Sequence, residues 1–175
     1  MIIGIVSLAG AGKDTFADYL VLKYDFRKIN TSDAISEILK EKDLEDNKDN
    51  RSIIADQWRK ETGRMDIVTF KSLEKIKDPK NLVIIGFRSL EESELMKKMF
   101  PSAILISLIA NPKIRYSRKR MGDPQDRAGF FGRDERDINK KGLAKVIMSA
   151  DYFILNNSSL EDFYKKIDKF MIGMK

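Results

Sequence analysis

A loop of small residues near the start of the chain has the composition of a phosphate-binding site. It reads Ala9-Gly10-Ala11-Gly12-Lys13-Asp14-Thr15. Small side chains let several backbone N–H groups converge on one anion, and a helix that starts after the loop points its free N–H groups at the same place. Lys13 then reaches the terminal phosphates of a nucleoside triphosphate as a point charge. These residues predict phosphoryl chemistry.

The flanking residues supply the elements that such a loop needs. Residues 2–6 are an apolar run that predicts a buried strand, and residues 15–23 are an amphipathic stretch that predicts a helix. Strand, tight loop and helix form the context of a P-loop. The match to G-x-x-x-x-G-K-[ST] is incomplete, because Ser7 replaces its first Gly and Asp14 replaces its Ser/Thr. The alternative interpretation is a small-residue turn with an incidental lysine.

The composition restricts the chemistry that the chain can perform. It has 175 residues, 42% of them hydrophobic and 34% charged, enough for one globular domain over residues 1–175 with a buried core. Histidine and cysteine are absent, which excludes disulfides, thiolate metal sites and the commonest general base. No apolar run approaches the roughly 20 residues of a membrane-spanning helix. We therefore expect a cytoplasmic protein without a membrane partner.

Most of the net charge of +6 lies in one stretch of the chain. Residues 113–141 hold ten basic and five acidic side chains, so they carry five of the six excess positive charges. Such a patch is typical of a surface that contacts a polyanion. We favour small-molecule nucleotide substrates over nucleic acid as partners, and we expect a monomer or a homodimer.

Apolar runs alternate with amphipathic segments along the chain. The predicted strands are 2–6, 26–30, 82–86, 103–109 and 152–155. The predicted helices are 15–23, one capped by 31–33 that ends near 40, 51–63, 65–77, 89–99, 111–121, a short one from 133, 143–149 and one from 159. Residues 41–50 and 122–132 are predicted loops. This alternation predicts an α/β fold in which a parallel sheet has helices on both faces.

The loop and three later stretches resemble a known group of kinases. Residues 10–20 resemble nucleotide kinases that include nucleoside monophosphate kinases with Gly-Lys-Gly-Thr, phage deoxynucleotide kinases and dephospho-CoA-kinase-like archaeal proteins. Residues 82–89 resemble the family's strand ending in Asp-Gly-x-Arg, 118–136 its Arg-rich lid, and 150–156 its final strand. The resemblance implies a three-layer P-loop NTPase fold with a five-stranded sheet, an acceptor-binding helical insert at 31–78 and a short lid at 118–136.

The resemblance also implies roles for particular residues in phosphoryl transfer from ATP with Mg²⁺, which needs charge neutralisation and alignment more than covalent chemistry. The catalytic candidates are Lys13, Arg88, Arg118 and Arg127. The cofactor-binding candidates are Ala9, Gly10, Ala11, Gly12, Lys13, Asp14, Thr15 and Arg118. The acceptor-binding candidates are Asp33, Arg51, Arg59 and Arg88, and the metal-binding candidates are Thr15 and Asp14. Further lid candidates are Arg120, Arg133 and Arg136. Each of these arginines has a solvated surface position as its alternative.

The sequence departs from the family pattern at the metal site. Ile84 and Ile85 end the third predicted strand, where the family usually has an aspartate. An acid is gained at Asp14, beside the loop lysine. Carboxylate oxygens are ligands that Mg²⁺ prefers, so we expect Asp14 to supply part of the missing function. Asp33 is the other candidate to replace the missing aspartate. If Asp14 does not bind Mg²⁺, its alternative partner is an acceptor hydroxyl or an arginine.

Three functions remain open at this point. The first is an ATP-dependent kinase for nucleoside or deoxynucleoside monophosphates. The second is a dephospho-CoA kinase, because the region of Asn156 resembles that branch. The third is a nucleotide- or nucleic-acid-binding protein without kinase activity, which the missing aspartate and the basic stretch suggest.

Overall fold

In the computed structural model, five parallel strands form one sheet. The structure describes residues 1–174, apart from the side chains of residues 48, 49 and 140. The strands are β1 (Ile2–Ser7), β2 (Arg27–Asn30), β3 (Leu82–Ile85), β4 (Ile104–Ile109) and β5 (Tyr152–Leu155). Their order in the sheet is β2-β3-β1-β4-β5, with all neighbouring pairs parallel. The predicted five-stranded parallel sheet is therefore confirmed.

Helices follow the strands and cover both faces of the sheet. They are α1 (Lys13–Tyr24), α2 (Asp33–Glu41), α3 (Lys48–Thr62), α4 (Ile67–Leu73), α5 (Leu90–Met99), α6 (Pro112–Ser117), α7 (Arg127–Lys141), α8 (Leu143–Met148) and α9 (Leu160–Gly173). On one face, Phe16 of α1 and Phe163 of α9 meet edge to face, with ring centroids 6.1 Å apart. On the other face, Met96 of α5 and Val146 of α8 are fully buried. The apolar strands are buried because helices pack on both sides of them.

The register of the sheet sets the position of the site. Ile5 of β1 pairs with Ile85 of β3, so these neighbouring strands reach their carboxyl ends together. Ligands of open α/β sheets bind at such carboxyl ends. The loop after β1 and the segment after β3 therefore lie side by side at one edge of the molecule.

Helices α2, α3 and α4 pack around an apolar cluster of their own. Ile35 and Leu39 of α2 contact Ile54 of α3 and Ile67 of α4 there. These three helices occupy the segment in which the sequence predicts the insert. Helix α3 begins at Lys48 rather than at Arg51, because the Asn47 side chain accepts a hydrogen bond from the Asn50 N–H and caps an earlier turn.

The region after β4 differs from the sequence-based expectation. Helix α6 ends at Ser117 rather than near Met121, and the chain then turns. The sequence predicts a loop over residues 127–132, but α7 begins at Arg127 and continues through Gly129 and Gly132. The Asp126 side chain accepts a hydrogen bond from the Gly129 N–H and caps the helix. An N-cap and the complete burial of Phe130 offset the roughly 1 kcal/mol that each helical glycine costs.

The remaining boundaries differ less. Helix α4 covers only Ile67–Leu73 of the predicted 65–77, and β4 begins one residue late, at Ile104. Within residues 1–174, none of the helices combines the length and the apolar character needed to cross a bilayer.

Candidate functional site

The loop between β1 and α1 has the backbone geometry of an anion-binding P-loop. Gly10 and Gly12 have φ angles of 76° and 106°, which favour glycine. A Cβ on Gly10 would lie 2.5 Å from the carbonyl oxygen of Arg115, and one on Gly12 would lie 2.5 Å from Nδ2 of Asn156. The loop is therefore packed closely between α6 and the segment after β5. Lys13 begins α1, so the helix N-terminus faces this loop.

Asp14 lies among three cations at the mouth of the loop. Its Oδ2 is 3.1 Å from Nζ of Lys13 and 3.7 Å from Arg120, and its Oδ1 is 3.5 Å from Nζ of Lys28. Burial alone would raise the pKa of Asp14, but the hydrogen bond from Lys13 and the three positive charges outweigh it and hold the pKa below its usual value. Asp14 is thus ionised at neutral pH, as the sequence-based role requires.

The residues around the loop fit a magnesium ion that arrives with a triphosphate. Asp14 offers a carboxylate, and Thr15 offers a hydroxyl in the same turn of α1. Within the described part of the chain, no three acidic side chains are grouped to hold a metal by themselves. Mg²⁺ commonly binds one or two protein carboxylates and completes its shell with phosphates and water. Ile85 is only 1% exposed and packs in the core, so the end of β3 offers no metal ligand there.

A buried arginine, Arg115, contacts the backbone of the P-loop, although the sequence predicts no role for it. Nη1 of Arg115 donates to the carbonyl oxygen of Ala9 at 3.0 Å and lies 2.7 Å from Oδ2 of Asp134. Arg115 and Asp134 are 4% and 7% exposed. The burial of each depends on the other, which is 19 residues away in the sequence, so local patterns could not single out Arg115.

Arg118 contacts the segment that follows β5. Its guanidinium donates to the carbonyl oxygens of Asn156 and Ser158 at 3.0 and 3.1 Å. Asn156 is buried, and its Nδ2 donates to the carbonyl oxygen of Ala11 at 2.9 Å. Arg118 therefore lies one hydrogen-bonded residue away from the P-loop.

Arg59 and Arg88, both predicted to bind the acceptor, line one cavity of about 460 Å³. The cavity lies between the end of α3, the start of α5 and the junction of α7 with α8. Its other lining residues are Asp56, Met65, Ser89, Leu90, Glu91, Glu92, Lys141, Gly142 and Lys145. Arg88 lies three residues after the end of β3, and its side chain is about half exposed. The cavity thus holds four basic side chains beside three acidic ones, so its lining mixes both signs of charge with one basic residue in excess. Arg59 pairs with Asp56 of the same lining.

A buried carboxylate, Glu92, orders the start of α5 at this cavity. It is 5% exposed, and its Oε2 accepts a hydrogen bond from the backbone N–H of Arg88 at 2.7 Å. Burial raises the pKa of Glu92 above its usual value, although the N–H groups of Arg88 and Ser89 and the charges of Arg59 and Arg88 partly oppose this. Glu92 therefore holds the backbone from which the Arg88 side chain projects.

Arg51 and Asp33 lie apart from that cavity, near the end of β2. The Arg51 guanidinium forms an ion pair with Asp46 and donates to Ser32 Oγ at 3.1 Å and Ser36 Oγ at 2.9 Å. Oδ2 of Asp33 accepts a hydrogen bond from the Asn30 N–H at 2.8 Å. In this arrangement, Asp33 closes the turn between β2 and α2.

The segment predicted as a lid consists of a loop, 118–126, followed by the first turns of α7. Arg127 is exposed in the first turn of the helix, with its Cζ 5.7 Å from the Phe131 ring centroid. Arg133 forms an ion pair with Asp123 at 2.6 Å, which ties the loop to α7. Arg136, another residue predicted in the lid, is exposed. The side chain of Lys140, which also belongs to the basic stretch, lies outside the described part of the structure.

Comparison with solved structures shows the fold. A protein called TT1252 from Thermus thermophilus is 16% identical, with a TM-score of 0.64 over 100% of this chain and 98% of that one. A shikimate kinase from Bacteroides thetaiotaomicron is 14% identical, with a TM-score of 0.63 over 98% of both chains. The α/β P-loop kinase fold expected from the sequence is therefore confirmed.

Comparison of sequences shows the family. The AAA domain model AAA_18 matches residues 3–139. A UPF0200 protein of Thermoplasma volcanium is 31% identical over 95% of this chain and 94% of its own length. A UPF0200 protein of Methanosarcina barkeri is 32% identical over 95% of this chain and 91% of its own length. The chain therefore belongs to the UPF0200 family and carries an AAA domain over residues 3–139.

Proposed function

We propose that this protein is a Mg²⁺-dependent phosphotransferase that moves the γ-phosphate of ATP to a small phosphorylated acceptor, with a nucleoside or deoxynucleoside monophosphate as first choice. The observation that carries the proposal is that two groups of basic side chains lie at one edge of the sheet, and we propose both as anion sites. One is the P-loop with Lys13 after β1, and the other is the cavity with Arg59 and Arg88 after β3. A triphosphate-binding protein needs only the first site, whereas phosphoryl transfer between two anions needs both.

The residues of the donor site bind and align the triphosphate. The backbone N–H groups of residues 9–13 surround the phosphates, and Lys13 exchanges its contact with Asp14 for the terminal phosphates. Mg²⁺, when bound, neutralises phosphate charge, and we propose Asp14 and Thr15 as its protein ligands. Arg118, held beside Asn156, and Arg127 close the site on the lid side.

The residues of the second cavity bind the acceptor. Arg88 and Arg59 contact its phosphate, with Lys141 and Lys145 adding positive charge. Charge-assisted contacts from planar guanidinium groups suit phosphate oxygens and also fix the acceptor's orientation. We keep Arg51 and Asp33 as contacts to the nonphosphate part of the acceptor, because they lie at the end of β2, the strand beside β3.

A dephospho-CoA kinase is the second candidate. The specific observation in its favour is Asn156, whose side chain contacts the P-loop carbonyl of Ala11 from a segment that resembles that branch. Both candidates share the donor site and differ in the acceptor, so one experiment separates them.

The test is an ATP-to-ADP assay with Mg²⁺ over a panel of nucleoside monophosphates, deoxynucleoside monophosphates and dephospho-CoA. We expect acceptor-dependent ADP formation that Lys13→Ala abolishes. Lys98→Ala, an exposed lysine near the end of α5, is the matched control and should retain full turnover. If ATP binds but no acceptor in the panel stimulates ADP formation, the chain is a nucleotide-binding protein and the proposed transfer is wrong.

A further inference from the structure

Helix α7 holds the P-loop through a buried carboxylate. Asp134 lies 2.7 Å from Nη1 of Arg115, and the same nitrogen donates to the carbonyl oxygen of Ala9. The backbone of Arg115 also lies directly against Gly10, where an added Cβ would meet its carbonyl oxygen at 2.5 Å. A buried ion pair retains its partners because separating them would leave a charge unpaired in the interior. The P-loop backbone is therefore linked to Asp134 through the Arg115 guanidinium.

The same helix holds the second cavity through a carboxylate one turn later. Oδ1 of Asp137 is 3.6 Å from Nη1 of Arg88 and 3.0 Å from Nζ of Lys141. Both cations line the cavity. Residues three apart on a helix lie on neighbouring positions of one face, so Asp134 and Asp137 point from one side of α7 toward the two anion sites.

We infer that α7 couples the two sites, with Asp134 and Asp137 as positioning residues: nucleotide in the P-loop shifts Arg115 and α7, and Asp137 then repositions Arg88 and Lys141 in the cavity. The inference rests on the proposed function, because it takes the P-loop as the donor site and the cavity as the acceptor site. It adds a route by which the donor prepares the acceptor site. Coupling between sites is reciprocal, so an acceptor should also tighten nucleotide binding.

The test measures the coupling without phosphoryl transfer. Amide hydrogen exchange of the full chain is followed with and without saturating AMPPNP and Mg²⁺, a triphosphate analogue that is not hydrolysed. In the wild type we expect slower exchange in residues 9–15 and also in 86–92, the latter by about fivefold or more, which is the lower end of typical coupling factors.

The variants separate a coupling role from a structural one. Asp137→Asn should keep the protection of residues 9–15 and lose that of 86–92. Glu135→Gln changes an exposed acid of the same helix and should behave as the wild type. Because Asp134→Asn alone leaves Arg115 buried and unpaired, the paired variant Arg115→Met with Asp134→Leu is used to keep the fold, and it should also lose protection at 86–92.

Each outcome decides a specific point. If AMPPNP protects residues 9–15 but never 86–92 in the wild type, or if Asp137→Asn transmits protection as the wild type does, the coupling is overturned and the proposed kinase stands. If AMPPNP protects neither segment, nucleotide binding itself is absent, and the proposed function is overturned together with the coupling.

Discussion

The Nζ atom of Lys13 lies 3.1 Å from Oδ2 of Asp14, the next residue in the chain. The lysine that should bind phosphate is thus paired with an internal carboxylate, and Lys28 and Arg120 approach the same carboxylate. A triphosphate would compete with Asp14 for these cations. If Asp14 binds the magnesium ion that accompanies the phosphates, its carboxylate keeps a cationic partner while Lys13, Lys28 and Arg120 are free to contact the phosphates.

Replacing Asp14 by Asn tests this role. The variant keeps the shape of the side chain and removes its charge, so the proposed kinase should lose affinity for Mg²⁺ and its turnover rate should fall by more than about fivefold. Loss of a helix-dipole contact alone, worth under about 1 kcal/mol, would lower the rate by about fivefold or less. A titration of the rate with Mg²⁺ measures both effects. Asp18→Asn, an exposed acid in the same helix, is the control. Unchanged rate and metal dependence in Asp14→Asn would leave Asp14 as a helix-start acid only.

Replacing Gly12 by Ala tests the geometry of the loop. The new Cβ would lie 2.5 Å from Nδ2 of Asn156, at a φ of 106° that alanine rarely adopts. We expect AMPPNP affinity to fall by about tenfold or more, since about 1.4 kcal/mol of strain or displaced contact gives that factor. Gly122→Ala, where an added Cβ has nothing within 4 Å, should bind AMPPNP as the wild type does. Equal affinities of the two variants would contradict the tight P-loop.

Replacing Arg88 by Ala tests the acceptor cavity. A hydrogen bond to a charged group contributes about 1.5–3 kcal/mol, so the KM for the acceptor should rise by about 10- to 100-fold, while the KM for ATP changes little. Initial rates over a matrix of both substrates measure this. Arg27→Ala, an exposed arginine at the start of β2, is the control. A rise in the KM for ATP alone would move Arg88 from the acceptor site to the donor site.

The parts predicted from the sequence are those with local causes. The sequence predicts the P-loop because its glycines, lysine and helix start are consecutive. It predicts the strands because each is a short apolar run. The sequence does not predict the start of α7, because Gly129 and Gly132 suggest a loop, whereas the Asp126 cap and the burial of Phe130 stabilise a helix. The sequence does not single out Arg115, because its structural role depends on Asp134, a partner that only the fold brings near.

The acceptor residues show the same limit. The sequence predicts acceptor binding for Arg51, Arg59 and Arg88 alike. The fold places Arg59 and Arg88 in one cavity and directs Arg51 to Asp46 and to the serines of α2. Spacing in the sequence cannot tell these positions apart, because α3 and α5 meet only through tertiary packing.

The buried Glu92 predicts a pH dependence of stability. Its pKa is raised in the folded protein above the usual 4.5, so the folded state binds more protons than the unfolded state just above that pH. The free energy of unfolding should therefore be larger below pH 4.5 and fall as the pH rises through the folded pKa. Glu92→Gln should flatten this part of the profile in urea unfolding between pH 4 and 7. Glu94→Gln, an exposed acid on the same helix, should leave the profile unchanged. A wild-type profile in Glu92→Gln would contradict the assignment.

The pair of Arg115 and Asp134 predicts a contrast between single and paired substitution. Asp134→Asn leaves a buried guanidinium without its counter-charge and should lower the free energy of unfolding by about 3–5 kcal/mol. The Arg115 guanidinium also lies over the Phe131 ring, 5.5 Å from its centroid. Arg115→Met with Asp134→Leu removes both charges and keeps apolar volume against that ring, so its cost should be much smaller, about 1 kcal/mol for the lost hydrogen bond to Ala9. Urea unfolding of both variants measures the difference. Glu161→Gln breaks an exposed pair with Lys165 and should cost about 0.5 kcal/mol or less. If Asp134→Asn costs no more than Glu161→Gln, Arg115 does not depend on Asp134, and the P-loop is held by its other contacts.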